Sequence, residues 1–207
     1  MNEDRLDRGE VSRRGVLARV GAWAGVATLL GTSEARAAGT ARGTPFPRNA
    51  LVVGVALDGR TFRLNKIEQG TLGPPVRGDS FIIDGKIYPH RVVERRLSGP
   101  DQAGSVGSWN CRAWFLDDVV PDIPPRLVST QVFLFDNGDT LITDGPEGAP
   151  SLTRAVVGGT GAFSGAGGSV YQEVIGFNDT FQNMGTLPGG EPILVPAQNY
   201  RGVFILR

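Results

Sequence analysis

The sequence is poor in the residues that build metal centres and disulfides. Among its 207 residues it has one cysteine, Cys111, and one histidine, His90. One cysteine excludes an intramolecular disulfide, and one histidine excludes a metal site built on several histidines. The charges also balance, with 21 basic and 21 acidic residues. Nothing in this composition favours nucleic-acid binding, and we expect neither a metal nor another cofactor.

The sequence also lacks an apolar run long enough to span a membrane. Its longest candidate, residues 16–30, follows Arg13-Arg14 and precedes Ala35-Arg36-Ala37, which is the order of parts in an export signal. The surrounding SRRGVL resembles a twin-arginine motif. We therefore expect a signal peptide over residues 1–37, with an ordinary amphipathic helix as the alternative. Cleavage would release the protein to the periplasm or the cell exterior with no membrane span.

The remainder of the chain lacks any helical apolar period that persists for three turns. Residues 38–48 are small and polar and predict a flexible tail, and residues 49–207 predict one domain. Short runs rich in β-branched and aromatic residues predict strands at 51–57, 61–64, 80–83, 86–88, 92–95, 108–116, 130–135, 140–143, 152–157, 169–175 and 200–206. Asp58-Gly59 and Asp84-Gly85 predict hairpin turns, and residues 177–198 predict a strand-poor covering segment. Such a pattern is typical of an all-β sandwich or closed barrel.

The glycine-rich stretch AVVGGTGAFSGAGG, residues 155–168, raises the question of a phosphate-binding loop. The dinucleotide spacing G-x-G-x-x-G fails because Ser164 stands at the third glycine position. A strand-like segment at 169–175 follows, whereas a phosphate site needs a helix N-terminus. We therefore predict a structural turn, and no nucleotide cofactor. The glycines of that turn are Gly158, Gly159, Gly161 and Gly165.

Alternation along the predicted strands suggests which side chains share a face. Trp109, Cys111 and Phe115 share one face, whereas Arg112 and Trp114 share the other, so both faces are partly apolar. An apolar outer face favours contact with further subunits or a covering loop. Our candidates for cavity-lining groups are Tyr88, Cys111 (or its neighbour Asn110), Arg112, Asp144, Tyr171 and Glu173.

Each candidate has a structural alternative. A lone cysteine in a strand is more often a small buried hydrophobe than a nucleophile. The tyrosines can be wall residues with a satisfied hydroxyl, and Arg112 can point to a subunit contact. Asp144 can open a turn, and Glu173 can be a solvated strand residue. Inside an apolar barrel, by contrast, either carboxylate would act as a general acid or base.

A family resemblance rests on the glycine-rich stretch. Residues 156–168, VVGGTGAFSGAGG, resemble the V-V-G-G-T-G-x-F-x-x-A-R-G signature of plant dirigent proteins and the related allene oxide cyclase barrels, with Gly167 where arginine is usual. Upstream segments at 77–89 and 107–111 look like secreted bacterial members of that superfamily. The resemblance implies an eight-stranded antiparallel β-barrel, lipocalin-like in shape, often a homotrimer, with an apolar cavity and no cofactor.

The resemblance also implies a function, because members of the superfamily steer reactive intermediates. It suggests an exported barrel that guides cyclisation, isomerisation or stereoselective coupling of a small apolar or phenolic molecule. One alternative is a lipocalin-like carrier that binds an apolar ligand without chemistry, and another is an extracytoplasmic structural or interaction module with a filled barrel. The sequence shows no nucleophile–base pair that decides between an enzyme and a carrier.

Overall fold

The computed structural model describes residues 50–68, 72–94, 97–120, 123 and 125–207. The predicted signal peptide and tail lie outside the described residues. The eight strands are β1 (Leu51–Asn65), β2 (Ser80–Pro89), β3 (Gly107–Phe115), β4 (Leu127–Phe135), β5 (Thr140–Glu147), β6 (Ser151–Thr160), β7 (Gly168–Thr186) and β8 (Pro192–Leu206). A short helix, α1 (His90–Glu94), follows β2, where the sequence predicted a strand, so that prediction was wrong.

The eight strands form one closed antiparallel barrel in which each strand pairs with the next along the chain. β1 and β8 complete the circle, with Leu51 opposite Phe204 and Ala56 opposite Asn199. Closure pairs both outer edges of the sheet, which would otherwise expose unpaired backbone groups. The predicted all-β, eight-stranded antiparallel barrel is therefore confirmed. In the part of the chain that the structure describes, no helix is long and apolar enough to cross a membrane.

The barrel interior is filled by every second residue of the strands, as the pleat requires. On β3, Trp109, Cys111 and Phe115 are buried, whereas Arg112 and Trp114 are exposed. Across the barrel, the rings of Phe133 and Phe204 meet edge to face at 5.1 Å between centroids. Burying each large apolar side chain stabilises the fold by about 1.5–3 kcal/mol.

The two Asp-Gly pairs do not form turns, which corrects the sequence prediction. β1 runs through Asp58-Gly59, with a shift of register against β2 between Asp58 and Arg63. β2 runs straight through Asp84-Gly85. A Cβ at Gly85 would lie 2.6 Å from the carbonyl oxygen of Ala56 and 3.2 Å from the ring of Trp109. Glycine is needed there because two neighbouring strands leave no room for a side chain.

The glycine-rich stretch connects β6 to β7 through a single 3-10 turn, Gly161–Phe163. Gly161 has φ +61° and Gly165 has φ +75°, a left-handed conformation that favours glycine. β6 and β7 pair antiparallel on either side, with Val156 opposite Gly168. The stretch thus connects two neighbouring strands of the barrel.

Residues 177–198 form a two-stranded extension of β7 and β8, here named the β7–β8 arm, rather than the strand-poor segment that the sequence predicted. Within the arm, Phe181 lies opposite Pro196 and Asn183 opposite Leu194. The arm is fixed to β1 by the backbone N–H of Gly59, which donates to Thr180 Oγ1 at 2.9 Å. It thereby lies close to one end of the barrel interior.

Candidate functional site

A cavity of about 70 Å³ lies inside the barrel, next to the β7–β8 arm. Gln182 and Met184 of the arm form part of its wall. Much of the remaining lining is apolar and includes Leu57, Phe81, Ile83, Phe115 and Leu127. Its polar lining includes Trp109, Cys111, Glu147, Gln198 and Tyr200. The volume is below the roughly 300–1,000 Å³ of pockets for drug-sized ligands, so this cavity takes a small molecule or part of a larger one.

Glu147, at the end of β5, is the acidic group of this cavity. Its side chain is 8% exposed. Oε2 accepts hydrogen bonds from Ser129 Oγ at 2.9 Å and Gln131 Nε2 at 2.7 Å, and lies 3.3 Å from Arg154 Nη1. Among the described residues, Oε1 accepts only a long bond of 3.4 Å from Gln172 Nε2. The two oxygens therefore differ: Oε2 is held by three donors, and Oε1 retains capacity to accept.

Arg154, on β6, has a fully buried side chain beside Glu147. Its Nε donates to Thr143 Oγ1 at 3.3 Å. Nη1 donates to the carbonyl oxygen of Pro146 at 2.5 Å, and Nη2 to that of Ser129 at 2.6 Å. A buried guanidinium is tolerated when it is both paired and hydrogen-bonded. We name Ser129, Gln131, Glu147, Arg154 and Gln172 the inner polar cluster.

Two further titratable groups line the cavity. Burial, with the charge of Glu147 as the second cause, raises the pKa of Tyr200 well above its usual value. Burial also raises the pKa of the Cys111 thiol, again with Glu147 adding to the effect. Both groups are therefore neutral near pH 7 and serve as hydrogen-bond donors rather than as nucleophiles. Tyr200 Oη donates to Gln198 Oε1 at 2.5 Å.

Two buried polar atoms near this site have no hydrogen-bond partner among the described residues. They are the indole Nε1 of Trp109 and the Oε1 of Gln131. Trp109 itself lines the cavity. Buried donors without partners are uncommon in folded proteins, so this nitrogen requires an explanation such as a bound water or a ligand acceptor.

Of the sequence-predicted candidates, the structure places only Cys111 in the cavity. Arg112, Asp144 and Tyr171 are exposed on the outer surface, Tyr171 by 45%. Glu173 also faces outwards, where it pairs with Arg201. These four positions are corrections to the sequence analysis. The reason is the pleat, because their strand neighbours face inwards and the strand alternates.

Tyr88 is buried but lies on the outside of the barrel wall. Its hydroxyl oxygen is 2.9 to 3.1 Å from the carbonyl oxygens of Gly99, Pro100 and Gln102. It packs with Ala56 and Leu97. Burial raises its pKa, so it stays protonated and can donate to these carbonyls. Tyr88 therefore holds the segment after α1 against the barrel. This matches the alternative in which a tyrosine is a wall residue with a satisfied hydroxyl.

Sequence reasoning missed Glu147, Arg154, Trp109 and Tyr200 as site residues. Glu147 lies in DGPEGAP, where glycine and proline indicate a turn, and Arg154 resembles an exposed strand residue. Trp109 was assigned to the correct face but was not among the candidates. The available signal was the alternation on β3, which already placed Trp109 with Cys111.

A second hollow, of about 490 Å³, lies outside the barrel between α1 and β7. Arg201 contributes to its wall, and the Arg201–Glu173 pair is about one-third exposed. Water weakens such exposed charges, whereas the interior shields Glu147 and strengthens its interactions. Among the described residues, no group of three or more His, Cys, Asp or Glu side chains could hold a metal ion. The interior cavity is therefore the candidate functional site.

Comparison with known proteins bears on the fold. No protein-family profile matches the sequence, and no curated protein matches it. Among solved structures, the pterocarpan synthase dirigent protein PsPTS1 aligns with a TM-score of 0.53 and 13% identity, over 79% of this chain and 95% of that chain. The pterocarpan synthase dirigent protein GePTS1 aligns with a TM-score of 0.51 and 18% identity, over 76% of this chain and 83% of that chain. The resemblance deduced from the sequence is thus confirmed at the level of the fold: this chain forms a barrel of the dirigent type.

Proposed function

We propose that the barrel binds a small organic molecule in its interior cavity and promotes its cyclisation or isomerisation without a cofactor. Glu147 acts as the proton acceptor and donor. The observation that carries this proposal is the asymmetry of the Glu147 carboxylate, in which Oε2 is held by three donors while Oε1 retains capacity to accept. A fixed carboxylate facing a largely apolar cavity is suited to general acid–base catalysis.

The proposed reaction conserves mass. Glu147 Oε1 takes a proton from one position of the bound molecule and returns it at another. Arg154 stabilises the anionic carboxylate between turnovers. The barrel wall contributes by orienting the molecule and excluding water. Coupling of radicals supplied by a separate oxidase would use the same orientation.

A lipocalin-like carrier is the second candidate, and the apolar lining of the cavity favours it. A carrier for an apolar ligand, however, gains nothing from an ion pair in its interior. Replacing a buried ion pair by well-packed apolar residues is often neutral or stabilising. The inner polar cluster therefore favours chemistry over storage.

The test compares molecules extracted from wild-type protein and from Glu147→Gln protein, both expressed in the same host. Because an isomerase conserves mass, we expect the two extracts to contain species of equal mass that differ in chromatographic retention. The variant should convert the species that it retains at least about 100-fold more slowly than the wild type. Glu173→Gln, on the outer surface, is the matched control and should behave as the wild type. If wild type and Glu147→Gln release one identical species, the protein is a carrier.

We also propose export through the twin-arginine route, supported by the motif around Arg13 and Arg14. A fusion of residues 1–45 to a reporter that works only after folded export should be active outside the inner membrane. Exchange of both arginines for lysine should abolish the activity. Export of the double-lysine variant at the wild-type level would disprove the route.

We further propose self-association, with a trimer as the expected assembly. The support is a set of apolar side chains on the outer wall of β2, β3 and β4, namely Ile82, Trp114, Val128 and Leu134, each exposed by about two-fifths. Sedimentation of the wild type should give the mass of a trimer, and Trp114→Glu should shift it to the monomer. A monomeric wild type at micromolar concentration would disprove the assembly.

A further inference from the structure

The Trp109 indole is built into the cavity wall with an unused donor. Trp109 is 2% exposed, and its Nε1 lacks a partner among the described residues. Its ring packs against Gly85 on the neighbouring strand, where a Cβ would lie 3.2 Å from the ring, and its centroid lies 6.5 Å from that of Tyr200. A bound molecule that offers a hydrogen-bond acceptor would complete this donor, because indole nitrogen can only donate.

The charge of the cavity limits the kind of acceptor. Among the described residues, no Lys, Arg or His lines it, and Glu147 is its charged group. The nearby guanidinium of Arg154 is engaged on all three nitrogens by Thr143, Pro146 and Ser129. A carboxylate ligand would therefore face Glu147 with no free cation to offset the repulsion. An uncharged acceptor has no such penalty.

We propose that the ligand is an uncharged carbonyl compound and that Trp109 selects it through a hydrogen bond from Nε1–H to the carbonyl oxygen. This proposal rests on the function proposed above and names its substrate class. When Glu147 Oε1 takes a proton from the carbon next to the carbonyl, the C–H electron pair moves into the new C–C double bond and the carbonyl π pair moves onto oxygen. The indole N–H stabilises the resulting enolate. In a carbonyl compound with a C=C bond at the β,γ position the enolate is conjugated, and the proton returns from Glu147 to the γ carbon. The oxygen pair then re-forms the carbonyl, the C=C bond moves to the α,β position, and the Glu147 carboxylate is restored.

The experiment titrates the full-length protein, labelled with ¹⁵N at its indoles, with three probes of similar size. Cyclohexanone carries the carbonyl, methylenecyclohexane replaces the oxygen with carbon, and cyclohexanecarboxylate carries a charge. The Trp109 indole resonance is assigned by its loss in Trp109→Phe. Trp114→Phe, which removes an indole on the outer wall, is the matched control.

We expect cyclohexanone to move the Trp109 indole proton resonance downfield in a saturable manner. The ratio of cyclohexanone affinity to methylenecyclohexane affinity should be about tenfold lower in Trp109→Phe than in the wild type. The hydrocarbon serves as the reference because both probes experience the same change in cavity size. Trp114→Phe should leave this ratio unchanged, and cyclohexanecarboxylate should bind weakest to the wild type.

Three results would overturn the proposal. They are an unchanged ketone-to-hydrocarbon ratio in Trp109→Phe, tighter binding of the carboxylate than of the ketone, and no movement of the indole resonance by cyclohexanone up to its solubility limit. Binding is read at the indole and does not depend on turnover. A saturable shift in a protein that converts no extracted ligand would therefore disprove the isomerase function and leave carbonyl recognition standing.

Discussion

The protein buries polar side chains in two regions, and they differ in kind. On the outside of the barrel wall, Tyr88, Asn178, Thr180 and Asn199 form what we name the outer polar network. All its members are neutral, and its contacts include the backbone carbonyl oxygens of Leu57 and Leu97. The inner polar cluster instead contains a charged pair and lies beside an unpartnered indole donor.

This difference separates architecture from function. The hydrogen bonds of the outer polar network join the β7–β8 arm and the segment after α1 to β1 and β2, so their role is to hold elements together. The inner polar cluster also links strands that are not neighbours, as in the bond from Arg154 on β6 to Ser129 on β4, but it differs because it contains charges that require compensation. Buried charge beside an unpartnered donor costs stability, and such an arrangement is typical of functional sites.

The largest effect should come from removing the inner cation. Arg154→Met leaves the Glu147 carboxylate buried without its partner, so we expect the free energy of unfolding to fall by about 3–5 kcal/mol. Arg201→Met, which breaks the partly exposed outer pair with Glu173, should cost about 1 kcal/mol or less. Urea denaturation measures both. Equal losses in the two variants would remove the distinction between the regions.

Disruption of the outer polar network should be the next largest effect. The Asn178 side chain donates to Leu57 O and to Asn199 Oδ1 and accepts from the N–H and hydroxyl of Thr180. We expect Asn178→Ala to lower the free energy of unfolding by about 2 kcal/mol, because buried partners are left unpaired. Ligand affinity should stay within about twofold of the wild type. A larger loss of affinity would show that the outer polar network shapes the cavity.

The two buried tyrosines allow the inner and outer regions to be compared through the pH dependence of stability. Both have raised pKa values in the folded protein, chiefly through burial, and Tyr200 is raised further than Tyr88. The folded state therefore favours the neutral phenol. Stability does not depend on these groups below about pH 10, where unfolded tyrosine begins to ionise, and falls above it by up to about 1.4 kcal/mol per pH unit for each.

Tyr200→Phe should remove the part of this loss of stability that is due to Tyr200. Tyr88→Phe should remove the part due to Tyr88, which stops increasing at a lower pH because the pKa of Tyr88 is raised less. Unfolding curves at about pH 9, 10.5 and 11.5 for the wild type and both variants measure the slopes. A wild-type slope that persists unchanged in Tyr200→Phe would contradict the burial of this phenol beside Glu147.

The smallest effect concerns a third region, the glycine-rich turn, which tests conformation without buried charge. A Cβ at Gly161 would meet the carboxylate of Asp139, and its backbone has a positive φ, whereas a Cβ at Gly158 would enter open space. We expect Gly161→Ala to cost about 1 kcal/mol or more and Gly158→Ala to be close to neutral. Thermal unfolding measures both. A nucleotide that stabilises only the wild type would show that this turn binds phosphate.

The sequence allowed the barrel wall to be predicted but not the site. Alternation on β3 assigned Trp109, Cys111 and Phe115 to one face because it depends only on neighbouring residues. The pairing of Glu147 with Arg154 depends on the continuation of β5 to Glu147 and on the register of β5 and β6, which shifts between Ile142 and Thr143 and is set by contacts distant in sequence. The Asp-Gly pairs misled for the same reason: local preference for a turn gave way to strand pairing on both sides.

Closure of the barrel by β1 and β8 has a consequence for how the protein folds. Leu57 of β1 and Tyr200 of β8 both line the cavity, and the contact of Gly59 with Thr180 spans 121 positions of the chain. Such distant contacts form slowly because the ends of a long loop must first meet. Local structure alone therefore cannot form the cavity. We expect the ability to bind a ligand to appear in a single late step of refolding, together with the last strand pairing.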